Sequence, residues 1–225
     1  MEPCVYQCNR ALNFPQVYGY FMPVPWRFTH VCIGAVFALI RPDLAEGIVP
    51  ESYNTPQVGP EESPEAGSFI TQNNITVALV AFAGGLPLGL LTIRAMFVNG
   101  MMLGAVGALI ARKGQSAQFW PSIAPHGILE LTAIFIAGGA GLMLGWALLH
   151  PGDLPRGRAL AEAAGDGARL LAGTIPMFIV AGTIEGFISF SELPAFVKLL
   201  VAALSAAVMV FYFSRKGASS HRFAR

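Results

Sequence analysis

One stretch limits what this chain can become. Pro125-His126-Gly127-Ile128-Leu129-Glu130-Leu131 opens its longest apolar run, and no charged side chain follows from Leu131 to Leu149. As a helix rising ~1.5 Å per residue, that run reaches across most of the ~30 Å hydrocarbon core of a bilayer. His126 and Glu130 stand four positions apart and so share one helix face. An ionisable pair at the mouth of a membrane span is costly to keep there, which makes it a candidate functional site from the outset.

The rest of the composition agrees with a membrane setting. Of 225 residues, 54% are hydrophobic and 12% charged, against about 25% charged in ordinary soluble domains. The mean hydropathy is +0.58. The runs are continuous rather than alternating over ten-residue segments, so the class is all-α, a polytopic transmembrane helical bundle, and not a β-barrel. A net charge of +1 gives no case for a nucleic-acid or polyanionic partner. Cys4, Cys8 and Cys32 imply no disulfide framework, and Cys4 and Cys8 lack the second ligand pair of a zinc site. Residues 1–23 hold Asn9, Asn13, Pro15, Gln16 and Pro23, with no compact apolar region of a signal peptide, and are expected to be irregular and cytoplasmic.

About six spans are expected within a transmembrane domain over residues 24–214. The first, Pro25 to Ile40, is weak, because its core from Val31 to Ile40 is short. Residues 41–68 form an acidic, proline-rich loop with Asp43, Glu46, Glu51, Glu61, Glu62 and Glu65, expected to be solvated with short helical turns. Phe69 to Leu91 makes the second span, weakened by Gly84, Gly85, Pro87 and Gly89; Gly85 and Gly89 offer a close-packing face. Ala95 to Ala111 makes the third, or alternatively a re-entrant hairpin. A loop over 112–124 leads to the fourth, 125–149. A polar loop over 150–170, in which Ala159 to Ala164 extend as surface helix, leads to the fifth, Leu170 to Phe190, interrupted by Pro176 and holding Glu185. Ala195 to Phe213 makes the sixth, and a basic tail over 215–225 follows.

Six spans put both termini on one side. If that side is the cytoplasm, ten Lys and Arg residues lie inside and four, Arg41, Arg112, Lys113 and Lys198, outside, as the positive-inside rule prefers. Loop 41–68 is then extracytoplasmic. This orientation turns sequence position into depth. Asn73 and Asn74 in the second span, His126 and Glu130 in the fourth, and Glu185 in the fifth fall at one level beneath the outer surface, whereas Arg94 and Asn99 fall at a second, inner level. Glu130 and Glu185 would repel if both ionised in a low dielectric, so a shared proton or a partner cation such as His126, a lysine or a metal is expected. Each residue has a plainer role beside this one: the asparagines as interhelical glue, His126 facing interfacial water, Glu130 at a helix start, and Glu185 as a packing element. The glycine pairs read as packing faces that also permit a homo-oligomer, and Phe119 and Trp120 as interfacial anchors.

Asn73-Asn74, Asn99-Gly100, Pro125-His126-Gly127-Ile128-Leu129-Glu130-Leu131, Ala133-Ile134-Phe135-Ile136-Ala137 and Glu185-Gly186-Phe187-Ile188-Ser189 together resemble the stage II sporulation protein M family, over about residues 69–190. The resemblance implies a multi-span protein of the bacterial inner membrane. In spore formers the family member works beside a peptidoglycan-degrading machine as its membrane component, and many relatives occur in bacteria that never sporulate, which the Ala-, Gly- and Arg-rich composition suits. Family members often carry a longer soluble helical region at the N-terminus, unlike residues 1–23.

Three functions compete at this stage. A non-enzymatic membrane component or scaffold of a cell-envelope machine would use the polar residues to hold its bundle together, with the lipid bilayer and envelope or peptidoglycan-remodelling proteins as partners. A permease or proton-coupled transporter would use the Glu, His and Asn side chains as a relay, with Pro87, Pro176 and Gly84-Gly85 breaking its helices. A membrane-embedded metal hydrolase would need His126 and Glu130 as ligands, but no HExxH pattern or third nitrogen ligand accompanies them. No glycine-rich phosphate loop follows a strand. The reading is therefore a non-enzyme with no metal and no cofactor.

Overall fold

A computed structural model describes residues 24–49, 63–189 and 191–220, with side chains for 29–49, 71–189 and 191–214. Residues 1–23, residues 50–62 of the expected acidic loop, Phe190 at the expected end of the fifth span, and the tail from 221 lie outside the described residues. The described residues form helices, with no strand: α1 (Val24–Ile40), α2 (Pro42–Ile48), α3 (Ser63–Ala83), α4 (Leu90–Arg112), α5 (Ser116–Leu149), α6 (Arg156–Ile184) leading into a π-helical turn (Glu185–Ser189), and α7 (Ala195–Ser220). Four stretches are long and apolar enough to cross a membrane: Leu90–Arg112, Ser116–Leu149, Arg156–Ser189 and Ala195–Ser214. α1 contributes a shorter apolar helix, Thr29–Ile40.

Several expected boundaries need correction, most of them because helices run beyond their apolar stretches, where polar composition reads as loop. The loop assigned to 112–124 shrinks to three residues, because α5 begins at Ser116 and passes through Pro121 and Pro125 without a break. The polar loop over 150–170 gives way at Arg156 to α6, whose Arg158–Glu162 and Arg169–Asp166 pairs (3.6 and 2.7 Å) sit one helical turn apart. α6 also passes through Pro176 unbroken. The acidic loop loses residues 63–68 to α3 and carries α2 at its start. The second span stops at Ala83 and is followed by a tight turn, and the sixth continues as helix to Ser220, into the expected tail.

The core is a set of close backbone contacts. α3, together with the turn that follows it, runs parallel to α5, with three pairs 56 residues apart in contact: Asn74 of α3 meets Glu130, and Gly85 and Gly89 of the turn meet Gly141 and Gly145. At both glycine pairs the backbones touch, so a methyl at Gly85 would collide with the Gly141 carbonyl. Gly89 takes φ +81°, which opens the turn into α4. Thr92, fully buried, donates to the Ala81 carbonyl (2.7 Å) and ties the start of α4 to the end of α3. Because α3 and α5 run parallel, α4 must carry the chain back across the bundle, so residues 95–111 form part of one continuous crossing helix and not a re-entrant hairpin. α6 packs antiparallel to both: Glu185 lies against Thr71 and His126, and Gly167 against Phe82 and Leu144. α1 packs on α4 through Gly34, Gly100 and Gly104.

Candidate functional site

The antiparallel course of α6 against the α3–α5 pair brings the start of the two parallel helices to the end of α6. Polar side chains from α3, α5, the π turn and α7 meet there. The Thr71 hydroxyl donates to Glu185 Oε2 (3.0 Å), and the Asn74 amide donates to Glu130 Oε2 (2.5 Å). His126 Nδ1 shares a hydrogen bond with Ser189 Oγ (2.7 Å), and its Nε2 stands 3.8 Å from Glu185 Oε1. Lys198, in the first turn of α7, donates from Nζ to the Ser189 carbonyl (2.8 Å). A chain of contacts thus runs from α7 through the π turn to α5, back to the π turn and on to α3.

Burial separates this cluster sharply from its surroundings. His126, Glu130, Glu185 and Ser189 are 2%, 3%, 0% and 0% exposed, whereas Phe187, between the last two, is 79% exposed. Alternate faces of one turn therefore look into the protein and out toward lipid. Intramembrane ionisable groups take the interior side because hydrocarbon offers them no partner. The level is well inside the helix: α5 starts at Ser116, and Glu130 lies ~15 Å along the axis from Trp120, so the pair is no longer at a helix mouth. Trp146 stacks on His150 (4.3 Å between centroids, 4° between planes) at the other end of α5.

Of the residues singled out from sequence, Asn74, His126, Glu130 and Glu185 come together. Asn73 does not: it is exposed, one helical position round from Asn74. Arg94 and Asn99, expected at a second, inner level, both lie on α4, away from this cluster. Arg94 is exposed, and the Asn99 amide donates to the Ala95 carbonyl of its own helix (2.8 Å), so the two form no joint site. Thr71, Ser189 and Lys198 join the cluster without having been picked out. Lys198, which counts as an outside charge at the head of the sixth span, is buried with its amine on a π-turn carbonyl. The π turn is the local feature that positions Glu185 and Ser189; such turns gather at functional positions in helices. Among the described residues no three His, Cys, Asp or Glu side chains are grouped so as to hold a metal ion.

Compared with protein-family models, residues 28–190, well over half the chain, match the model described as "Stage II sporulation protein M". Searches of curated proteins and of solved structures returned no match.

Proposed function

The chain belongs to the stage II sporulation protein M family, and from that membership we propose that it is a non-enzymatic membrane component of a bacterial cell-envelope machine. In this reading it is a scaffold in the inner membrane that presents its solvated segments to envelope or peptidoglycan-remodelling proteins. The observation that carries it is the four-element polar cluster, in which Thr71, Asn74, His126, Ser189 and Lys198 spend their hydrogen bonds on neighbouring helices. Together with the glycine contacts between α5 and the turn after α3, that is the construction of a bundle built to hold its shape. We further read α1 and α3 as spans beside the four longer ones. Six crossings then leave both termini in the cytoplasm, with α2 and the acidic loop outside. Labelling of single cysteines placed at Glu46, Lys113 and Asp153 in intact cells checks this: the first two should react with an impermeant reagent and the third should not.

A proton-coupled permease remains the second reading, favoured by one observation: Glu130 and Glu185 each keep a buried carboxyl oxygen without a hydrogen-bond partner. Glu130→Gln and Glu185→Gln separate the two. A scaffold should lose yield and thermal stability with no change in solute movement. A permease should keep its fold and lose flux in reconstituted vesicles.

A further inference from the structure

Glu130 and Glu185 are each tied to α3 through Oε2, by Asn74 and Thr71, which stand one turn apart. Each leaves Oε1 buried and without a hydrogen-bond partner. The groups facing the pair are few. α3 offers Thr71 and Asn74, which do not titrate; α5 offers His126; the π turn offers Ser189; α7 offers Lys198, whose amine is engaged by the Ser189 carbonyl. Among the described residues no lysine or arginine nitrogen lies within ion-pair distance of either carboxyl, and the one imidazole, 3.8 Å from Glu185 Oε1, compensates at most one charge. Two ionised carboxyls are thus one counter-charge short in a low-dielectric interior. The smallest species that supplies both the charge and the missing donor is a proton.

We propose that Glu130, Glu185 and His126 form a buried binding site for one exchangeable proton, fixed in place by Thr71 and Asn74. On Glu185 Oε1 the proton gives that oxygen an O–H directed at His126 Nε2. Nε2 is an acceptor when Nδ1 carries the ring hydrogen and donates to Ser189 Oγ. The 3.8 Å between Glu185 Oε1 and His126 Nε2 exceeds hydrogen-bond reach, so the proton rests on the carboxyl facing the imidazole; only with the two atoms drawn within that reach does one O–H bond break and one N–H bond form, with total charge unchanged. Glu130 Oε1 is the alternative seat. The site concerns a ligand of the cluster and stands under either reading of function.

Infrared spectroscopy of the full chain in lipid, titrated over pH, tests this. The expected result is a carboxyl C=O band at the high-frequency position of a poorly hydrated acid, whose amplitude follows pH. Uniform 13C labelling of glutamate should shift it, and the Glu130→Gln/Glu185→Gln double variant should lose it. An unchanged band in the folded double variant would overturn the proposal. So would a labelled wild-type protein that shows no such glutamate band at any pH, a result that needs no variant to fold. A midpoint that moves when sodium replaces choline at constant ionic strength would overturn the proton assignment in favour of an alkali cation.

Discussion

Gly141→Ala is the sharpest test of the packing that holds the cluster. Gly141 sits where three helices meet: a methyl there would strike the Ala81 carbonyl of α3, come within 2.7 Å of the Thr92 hydroxyl of α4 and within 3.0 Å of the Phe82 carbonyl. Two of these three neighbours are backbone and cannot turn aside, so α5 must move away from α3. Overpacking of this kind costs about 1–3 kcal/mol. The Thr92 hydrogen bond to Ala81 O, 2.7 Å long and fully buried, adds about 1 kcal/mol if it is displaced. The gain in helix propensity from Gly to Ala returns at most about 1 kcal/mol. The net expectation is a loss of about 1–3 kcal/mol. Gly173→Ala on α6 is the control: nothing lies within 4 Å of the added carbon, so only the propensity change remains, within about 1 kcal/mol. Unfolding in mixed micelles, followed by helical circular dichroism, should place Gly141→Ala well below wild type and Gly173→Ala at or above it. Equal stabilities for the two variants would refute the claim that α3 and α5 touch at their backbones.

Other substitutions probe the cluster itself. Asn74→Leu removes the donor to Glu130 Oε2 and should cost about 1–3 kcal/mol in the same assay. Asn73→Ala, one residue away and exposed, should stay within about 0.5 kcal/mol; a larger loss there than at Asn74 would mean the wrong asparagine has been turned inward. Ser189→Ala deprives His126 Nδ1 of its partner and should cost about 1–2 kcal/mol, whereas Ser189→Thr keeps the hydroxyl and should recover most of it.

Much of this was legible in the sequence, and the parts that were not share a cause. Charge-free lengths mark the spans, and orientation converts position into depth, which is how Asn74, His126, Glu130 and Glu185 fall at one level. Rotation about the helix axis is a different coordinate. Asn73 and Asn74 have nearly the same depth, and only packing against α5 decides which one points inward. Hydroxyl groups are equally mute. Ser122, Thr132 and Thr183 bond back to the carbonyl four residues earlier in their own helices, as such residues commonly do in membrane helices, whereas Thr71 and Ser189 reach across to another element. Composition cannot tell the two uses apart. Lys198 stands in the first turn of α7, where a charge reads as facing the outside water, and only the position of the π turn shows that its amine folds back onto the Ser189 carbonyl.

The polar pair and the glycine contacts answer different parts of one packing problem. Lipid tails are as apolar as leucine, so burial does not tell one sliding position of two membrane helices from another. Small residues permit close approach but repeat every four positions. A slip of α5 by one turn would set Ala137 against Gly85 and Gly141 against Gly89, a pairing that small side chains still tolerate. That slip also carries Glu130 away from Asn74 by ~5–6 Å, too far to hydrogen-bond, and leaves both its carboxyl oxygens without a donor. The glycines of α5 and of the turn after α3 therefore allow close packing in more than one register, and the Asn74–Glu130 bond selects the one observed. On this argument Asn74→Leu should do more than lower stability: a disulfide engineered between cysteines at Ala78 and Ile134, neighbours in the same core cluster, should form readily in wild type and lose its preference over a pairing shifted by one turn once Asn74 is gone.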